Sequence, residues 1–159
     1  IDTVQQALVY LGENQLRRWV AVAAIPRAAT DKPDELLKVS LLSASFSEAL
    51  AVMLGFARPD EAFLMGLFSH LDALLDRPLE ESLQELNVHP DISNALLGRA
   101  HPAEPLGRIH QLARKYADAD WDAAAALVDT LQLDPGAVAA AYVQAAEWAD
   151  QHLQPATSR

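Results

Sequence analysis

Histidine and aspartate pairs at short spacing are the residues of this chain that could bind a metal ion. His70 precedes Asp72 by two positions, and His89 precedes Asp91 by the same interval. A metal-dependent hydrolase needs such side chains to converge on one or two cations. Residues two apart on a helix point about 200° away from each other, so we expect that His70 and Asp72 cannot hold one ion together. Asp91 falls at a predicted helix start, where its charge suits the helix dipole.

The other candidates for chemistry are weaker. His101 falls in a predicted loop and His110 on a predicted helix, so the sequence gives no reason for the two to meet. The chain has no cysteine, which excludes disulfides, thiolate zinc sites and a cysteine nucleophile. No serine lies in a Gly-x-Ser-x-Gly elbow, and the 6 glycines form no phosphate-binding loop. The sequence therefore predicts no catalytic, metal-binding or cofactor-binding residue and no cofactor.

The charge balance narrows the possible partners. Of the 159 residues, 12 are Lys or Arg and 22 are Asp or Glu, which gives a formal net charge of -10. An acidic surface repels the phosphate backbone of nucleic acids and the headgroups of anionic membranes. No apolar run approaches the ~20 residues that cross a bilayer. We therefore expect a cytoplasmic protein that binds neither nucleic acid nor membrane.

The elements that position these residues are predicted to be helices. Apolar residues recur at three- and four-residue spacing almost throughout, and no stretch sustains the alternation of a strand. Proline, glycine and aspartate divide the pattern into about nine helices, an irregular all-α bundle in one domain over residues 1–153 with a frayed tail at 154–159. The predicted helices are two before Pro26, then 33–54, 59–75, a short one opening at Pro78, 90–97, 106–117, 121–131 and 135–153.

Three stretches of the chain carry a family likeness. They are the helix–Leu-Gly–helix unit over residues 7–20, the segment that opens Lys32-Pro33-Asp34 with its helix, and residues 60–75. Together they resemble the HDOD domain, a bacterial signalling module related to the HD phosphohydrolases. In the third stretch the likeness covers residues 60–68 and 71–75 and leaves out Ser69 and His70. Residues 77–81 and the Tyr116 to Trp121 segment resemble the subgroup that places an EAL domain before HDOD. The likeness implies an HD-like bundle whose parent continues upstream of Ile1 with an EAL domain, which hydrolyses or senses cyclic di-GMP.

The metal-binding doublet of the HD enzymes is missing from this likeness. Where those enzymes have Gly-Leu-Leu-His-Asp-Ile-Gly, this chain reads Gly-Leu-Phe-Ser-His-Leu-Asp over residues 66–72, so Ser69-His70 replaces the His-Asp pair. The preceding helix, where the enzymes carry an earlier histidine, has none in residues 37–42. The resemblance thus implies a non-catalytic module that contacts its upstream EAL domain, a second copy in a homodimer, or another signalling protein.

Two alternatives to this interpretation stay open. The first is a divergent metal-dependent phosphohydrolase with a site built from His70, Asp72 and other acids. The second is an output domain attached to a receiver instead of an EAL domain. The three tryptophans, Trp19, Trp121 and Trp148, are expected to pack in the core or at its edge, because each lies beside apolar helical positions.

Overall fold

The computed structural model describes residues 33–153, and this part of the chain is helical without any strand. It contains eight helices, which are numbered here in chain order. They are α1 (Asp34–Met53), α2 (Pro59–Phe68), α3 (Leu71–Leu75), α4 (Leu79–Glu85), α5 (Pro90–Leu96), α6 (Pro105–Ala117), α7 (Trp121–Thr130) and α8 (Pro135–Leu153).

Helix α1 is the centre of the bundle and packs against α2, α6 and α8. Its buried residues include Leu41, Ala44 and Leu50. The contact with α2 is close because Gly66 has no side chain. A Cβ added at Gly66 would lie 2.3 Å from the carbonyl oxygen of Ser43, which is far inside van der Waals contact. The glycine therefore sets the distance between α1 and α2.

Helix α1 is also the one helix of residues 33–153 that is long and apolar enough to cross a membrane, judged by length and composition alone. Core helices of globular domains pass the same test. In this bundle the apolar residues of α1 face neighbouring helices. Phe46, for example, is 1% exposed and lies against the rings of Tyr116 and Tyr142.

Within residues 33–153 the structure has eight helices, and nine were predicted for the whole chain. Two of the nine predicted helices and the tail at 154–159 lie outside the described residues, for which the sequence predicts seven helices. The additional helix arises because the predicted helix over residues 59–75 is in fact two helices, α2 and α3, separated by Ser69 and His70. The other predicted helices that lie within the described residues are present, and where both ends were predicted the bounds agree to within about two residues.

The break has a local cause in Ser69. Its backbone N–H and its hydroxyl both donate to the carbonyl oxygen of Gly66, at 3.2 and 2.6 Å. A serine side chain that bonds the preceding turn competes with the backbone hydrogen bonds of a continuing helix. His70 then leaves the helical region, with φ -119° and ψ 22°, and the chain restarts as α3.

Candidate functional site

A cleft of about 340 Å³ opens where α2 gives way to α3, and it is the candidate site of this domain. Six helices or helix ends contribute to its wall. The polar side chains that line it are those of Ser43, Ser69, His70, Asp72, His110, Arg114 and Asp118. Leu79 and Leu96 add apolar wall from α4 and α5. Arg99 ties these two helices together, because its guanidinium donates to both carboxylate oxygens of Glu80 at 2.8 and 3.0 Å.

Ser43, Ser69 and His70 form a hydrogen-bonded chain along the cleft. The hydroxyls of Ser43 and Ser69 lie 3.2 Å apart, and the Ser69 hydroxyl lies 2.9 Å from Nδ1 of His70. Ser69 has one hydroxyl proton, and the Gly66 carbonyl at 2.6 Å can only accept it. Nδ1 of a neutral His70 therefore carries its own proton and donates to Ser69. The other ring nitrogen, Nε2, keeps its lone pair.

The two histidines of the cleft are uncharged at neutral pH. Burial lowers the pKa of His110 to about 4, and the charge of Arg114, together with that of His70 when it is protonated, acts in the same direction. Burial is also the main cause that lowers the pKa of His70, while Asp72 and Asp118 partly oppose it. The charged groups of the cleft are thus Arg114, Asp72 and Asp118, and all three are exposed. Nε of Arg114 lies 3.7 Å from Oδ2 of Asp118.

His70 and Asp72 do not lie on one continuous helix, which their predicted separation of about 200° requires. The break at Ser69 and His70 lets both side chains line the same cleft. His110 and Asp118 from α6 join them there. Even so, no group of three or more histidine, aspartate or glutamate side chains within residues 33–153 is arranged to hold a metal ion. The absence of catalytic, metal and cofactor residues stays a prediction.

A second cavity of about 260 Å³ adjoins the cleft and shares Leu96, His110 and Arg114 with it. His101 lines this cavity, so the fold brings His101 and His110 to one place, although their spacing in the sequence does not predict it. His110, Arg114 and Asp118 are spaced at four-residue intervals on or next to α6, which puts the three on one helix face. This spacing is the sequence feature that could have predicted that they line one cleft together.

The pair His89 and Asp91 lies outside the cleft. Nδ1 of His89 accepts a hydrogen bond from the backbone N–H of Asp91 at 3.3 Å, so the histidine caps the start of α5. The carboxylate of Asp91 lies 3.3 Å from the guanidinium of Arg58. These contacts make a helix cap and a surface ion pair.

The tryptophans divide into two cases. Trp148 is partly buried and meets the ring of Phe63 edge to face at 5.9 Å, as predicted for core or edge packing. Trp121 is 58% exposed, so core packing is wrong for it. Its indole touches the edge of the core through Tyr116, with ring centroids 5.6 Å apart. Trp19 lies outside the described residues.

Comparison with known proteins gives a family match and two relatives. The family model described as HDOD domain matches residues 1–133. The chain is 39% identical over 122 residues to the cyclic di-GMP phosphodiesterase CdgJ of Vibrio cholerae serotype O1, covering 76% of the chain and 28% of that protein. It is 31% identical over 151 residues to the uncharacterized protein YuxH of Bacillus subtilis, covering 93% of the chain and 36% of that protein. The chain thus spans about a third of each relative or less, and no solved structure matches it.

Proposed function

This chain belongs to the HDOD domain family, and from that membership we propose that it is a non-catalytic bacterial signal-transduction module that acts through protein–protein or interdomain contacts. The similarity to a cyclic di-GMP phosphodiesterase supports a place in cyclic di-GMP signalling. The proposed partner is an EAL domain upstream in the same polypeptide, which the module regulates or reads. We propose a cytoplasmic location. We also propose that the chain binds neither nucleic acid nor membrane, because its net charge of -10 disfavours contact with anionic phosphates and headgroups.

The observation that carries this proposal is the state of the cleft at Ser69 and His70. In the likeness to HD phosphohydrolases, these two residues stand where the metal-binding His-Asp doublet would be. Ser69 gives its proton to the Gly66 backbone, and His70 is turned onto Ser69 by its Nδ1 contact. The Ser69 hydroxyl and Nδ1 of His70 are thus hydrogen-bonded to each other, and Ser69 is also bonded to the backbone. A scaffold kept in this form supports a role in recognition rather than hydrolysis.

A divergent phosphohydrolase is the second candidate, and one observation favours it. His70, Asp72, His110 and Asp118 all line one cleft, which brings metal-ligating residue types nearer to each other than the sequence indicated. One observation disfavours a phosphohydrolase: within the described residues, no three histidine, aspartate or glutamate side chains are arranged to hold one metal ion. Catalytic zinc sites keep three protein ligands, and two-metal hydrolases keep more.

The contact function is tested on the parent polypeptide. The rate of cyclic di-GMP hydrolysis is measured for the EAL domain alone, for the EAL domain mixed with this chain, and for the two joined as one chain. We expect the joined chain to change the rate or its dependence on substrate concentration, and the mixture to reproduce that change at high concentration. Identical rates in all three samples, with no complex in sedimentation velocity, would contradict the proposal. A parent without an EAL domain would remove the proposed partner.

A further inference from the structure

An exposed tryptophan begins a helix face that no other described element covers. Trp121 is 58% exposed at the first position of α7. Ala125 and Asp129 follow it at four-residue intervals, so the three form one row along the helix, and Asp122 lies beside this row. All four residues are exposed. We call Trp121, Asp122, Ala125 and Asp129 the Trp121 face.

The indole of Trp121 is held in place from below by other aromatic rings. Its ring meets Tyr116 edge to face, and Tyr116 in turn lies 5.0 Å from Phe46 and 5.2 Å from Tyr142, measured between ring centroids. Phe46 is 1% exposed, so the series of rings runs from the core to the surface. A large side chain that is already ordered loses little rotamer entropy when a partner covers it. Such residues are frequent among the anchors of protein interfaces.

The start of α7 is fixed by a second set of contacts. Asp120 accepts a hydrogen bond from the backbone N–H of Ala123 at 3.3 Å, which caps the helix. It also accepts one from Nζ of Lys115 at 2.8 Å. These two bonds are the main causes that lower the pKa of Asp120. The cationic group nearest in sequence to the Trp121 face is thereby already paired within the domain.

The carboxylates of the Trp121 face remain available to a partner. Within residues 33–153, neither Asp122 nor Asp129 has an ion pair or a side-chain hydrogen bond. The chain as a whole has a formal net charge of -10, which attracts a positively charged partner in the same way. A partner surface that is positive and planar enough to cover an indole complements this arrangement.

We propose that the Trp121 face is a docking surface for an arginine-rich, basic segment of a partner protein. A guanidinium can lie flat on an indole and donate to a neighbouring carboxylate at the same time, whereas a lysine ammonium is a compact and strongly hydrated charge. Ala125 lies between Trp121 and Asp129 in the row, and its small side chain leaves room there for the aliphatic part of an arginine. This inference rests on the proposed contact function and specifies the chemistry of the contact.

The proposal is tested with the full chain and two capped dodecapeptides, one alternating arginine with alanine and one alternating lysine with alanine. Dissociation constants are measured by calorimetry at low salt. We expect the arginine peptide to bind more tightly than the lysine peptide. The variant Trp121→Ala should weaken binding of the arginine peptide about two- to fivefold, as for the loss of an exposed cation–π contact. In NMR spectra of the ¹⁵N-labelled chain, the indole N–H signal of Trp121 should shift on addition of the arginine peptide.

Charge-matched variants separate a local site from general attraction. Asp122→Asn with Asp129→Asn should weaken binding of the arginine peptide, while Asp34→Asn with Glu35→Gln, at the start of α1, removes the same charge and should leave the affinity nearly unchanged. Equal weakening by both pairs, or equal binding of the two peptides, would overturn the proposal. A concentration-dependent dimer of the chain that Trp121→Ala dissociates would also overturn it, because the occupant would then be a second copy. None of these outcomes bears on hydrolysis, so the proposed non-catalytic role is tested separately.

Discussion

The hydroxyl of Ser69 lies 2.9 Å from Nδ1 of His70 and 2.6 Å from the carbonyl oxygen of Gly66. These two contacts make the same serine end helix α2 and orient the histidine that follows it. The end of α2 and the orientation of His70 in the cleft therefore both depend on Ser69. In the likeness to the HD enzymes, Ser69 stands at a position where those enzymes are expected to carry a metal ligand, and in this chain it bonds its own backbone instead.

The first prediction concerns the proton on His70. Neutral His70 should be the tautomer with the proton on Nδ1, because the single proton of Ser69 is given to Gly66. The ¹⁵N chemical shifts of the His70 ring, measured at pH 8, distinguish the two tautomers. The variant Ser69→Ala removes the acceptor of Nδ1 and should move the ring toward the Nε2-protonated form. A ring of the unmodified chain protonated on Nε2 would show that this hydrogen-bond assignment is wrong.

The second prediction concerns Gly66. A Cβ at this position would lie 2.3 Å from a backbone atom of Ser43, so Gly66→Ala must push α1 and α2 apart. We expect a loss of about 1–3 kcal/mol in the free energy of unfolding, the usual cost of overpacking. Denaturation by urea measures it. The matched control is Gly136→Ala at the exposed start of α8, where the nearest atom is the end of the Asp134 side chain at 3.2 Å. If Gly136→Ala lowered the free energy of unfolding as much as Gly66→Ala, the close contact between α1 and α2 would not explain the loss.

The third prediction concerns the pH dependence of stability. The pKa of His110 is lowered from 6.5 to about 4 in the folded chain, so between these values the unfolded chain binds a proton that the folded chain does not. Stability is therefore unaffected by His110 above pH 6.5, falls as the pH drops below it, and stops falling near pH 4. The full loss is as much as ~3 kcal/mol. His70 acts in the same direction, because its pKa is also lowered.

Urea midpoints measured from pH 8 to pH 4 test this dependence. In the variant His110→Gln, the urea midpoint should fall less as the pH drops, because glutamine does not titrate. His101→Gln, at an exposed histidine of the adjoining cavity, serves as the control and should leave the decline in place. Parallel curves for the unmodified chain and His110→Gln would show that the burial of His110 does not act on stability.

The helical periodicity of the sequence was sufficient to predict most of the described fold. Pro59, Pro90 and Pro135 begin helices as their fixed φ angle suggests, and the side chain of Asp120 accepts a cap hydrogen bond at the start of α7. These are local effects, so a sequence shows them directly. The bounds of α8 agree with the prediction at both ends.

The cleft was harder to predict because it depends on one tertiary detail. Neither Ser69 nor His70 is a strong helix breaker, and the break follows from where the Ser69 hydroxyl finds its acceptor. Without the break, His70 and Asp72 would point apart. Ser43 and His110 enter the cleft from helices distant in sequence, and no spacing rule links them to His70. The exposure of Trp121 was missed for a similar reason, because an aromatic residue among alanines resembles a core position.

The most direct test of the non-catalytic role is hydrolysis by the purified chain itself. Cyclic di-GMP and bis(p-nitrophenyl) phosphate are each incubated with the chain and Mn²⁺ or Mg²⁺, alongside the variants His70→Ala in the cleft and His89→Ala outside it, and the metal content of the protein is measured by elemental analysis. We expect no turnover above background in any of the three proteins and no stoichiometric metal. Turnover that His89→Ala keeps and His70→Ala loses, in a chain that carries bound metal, would contradict the non-catalytic role.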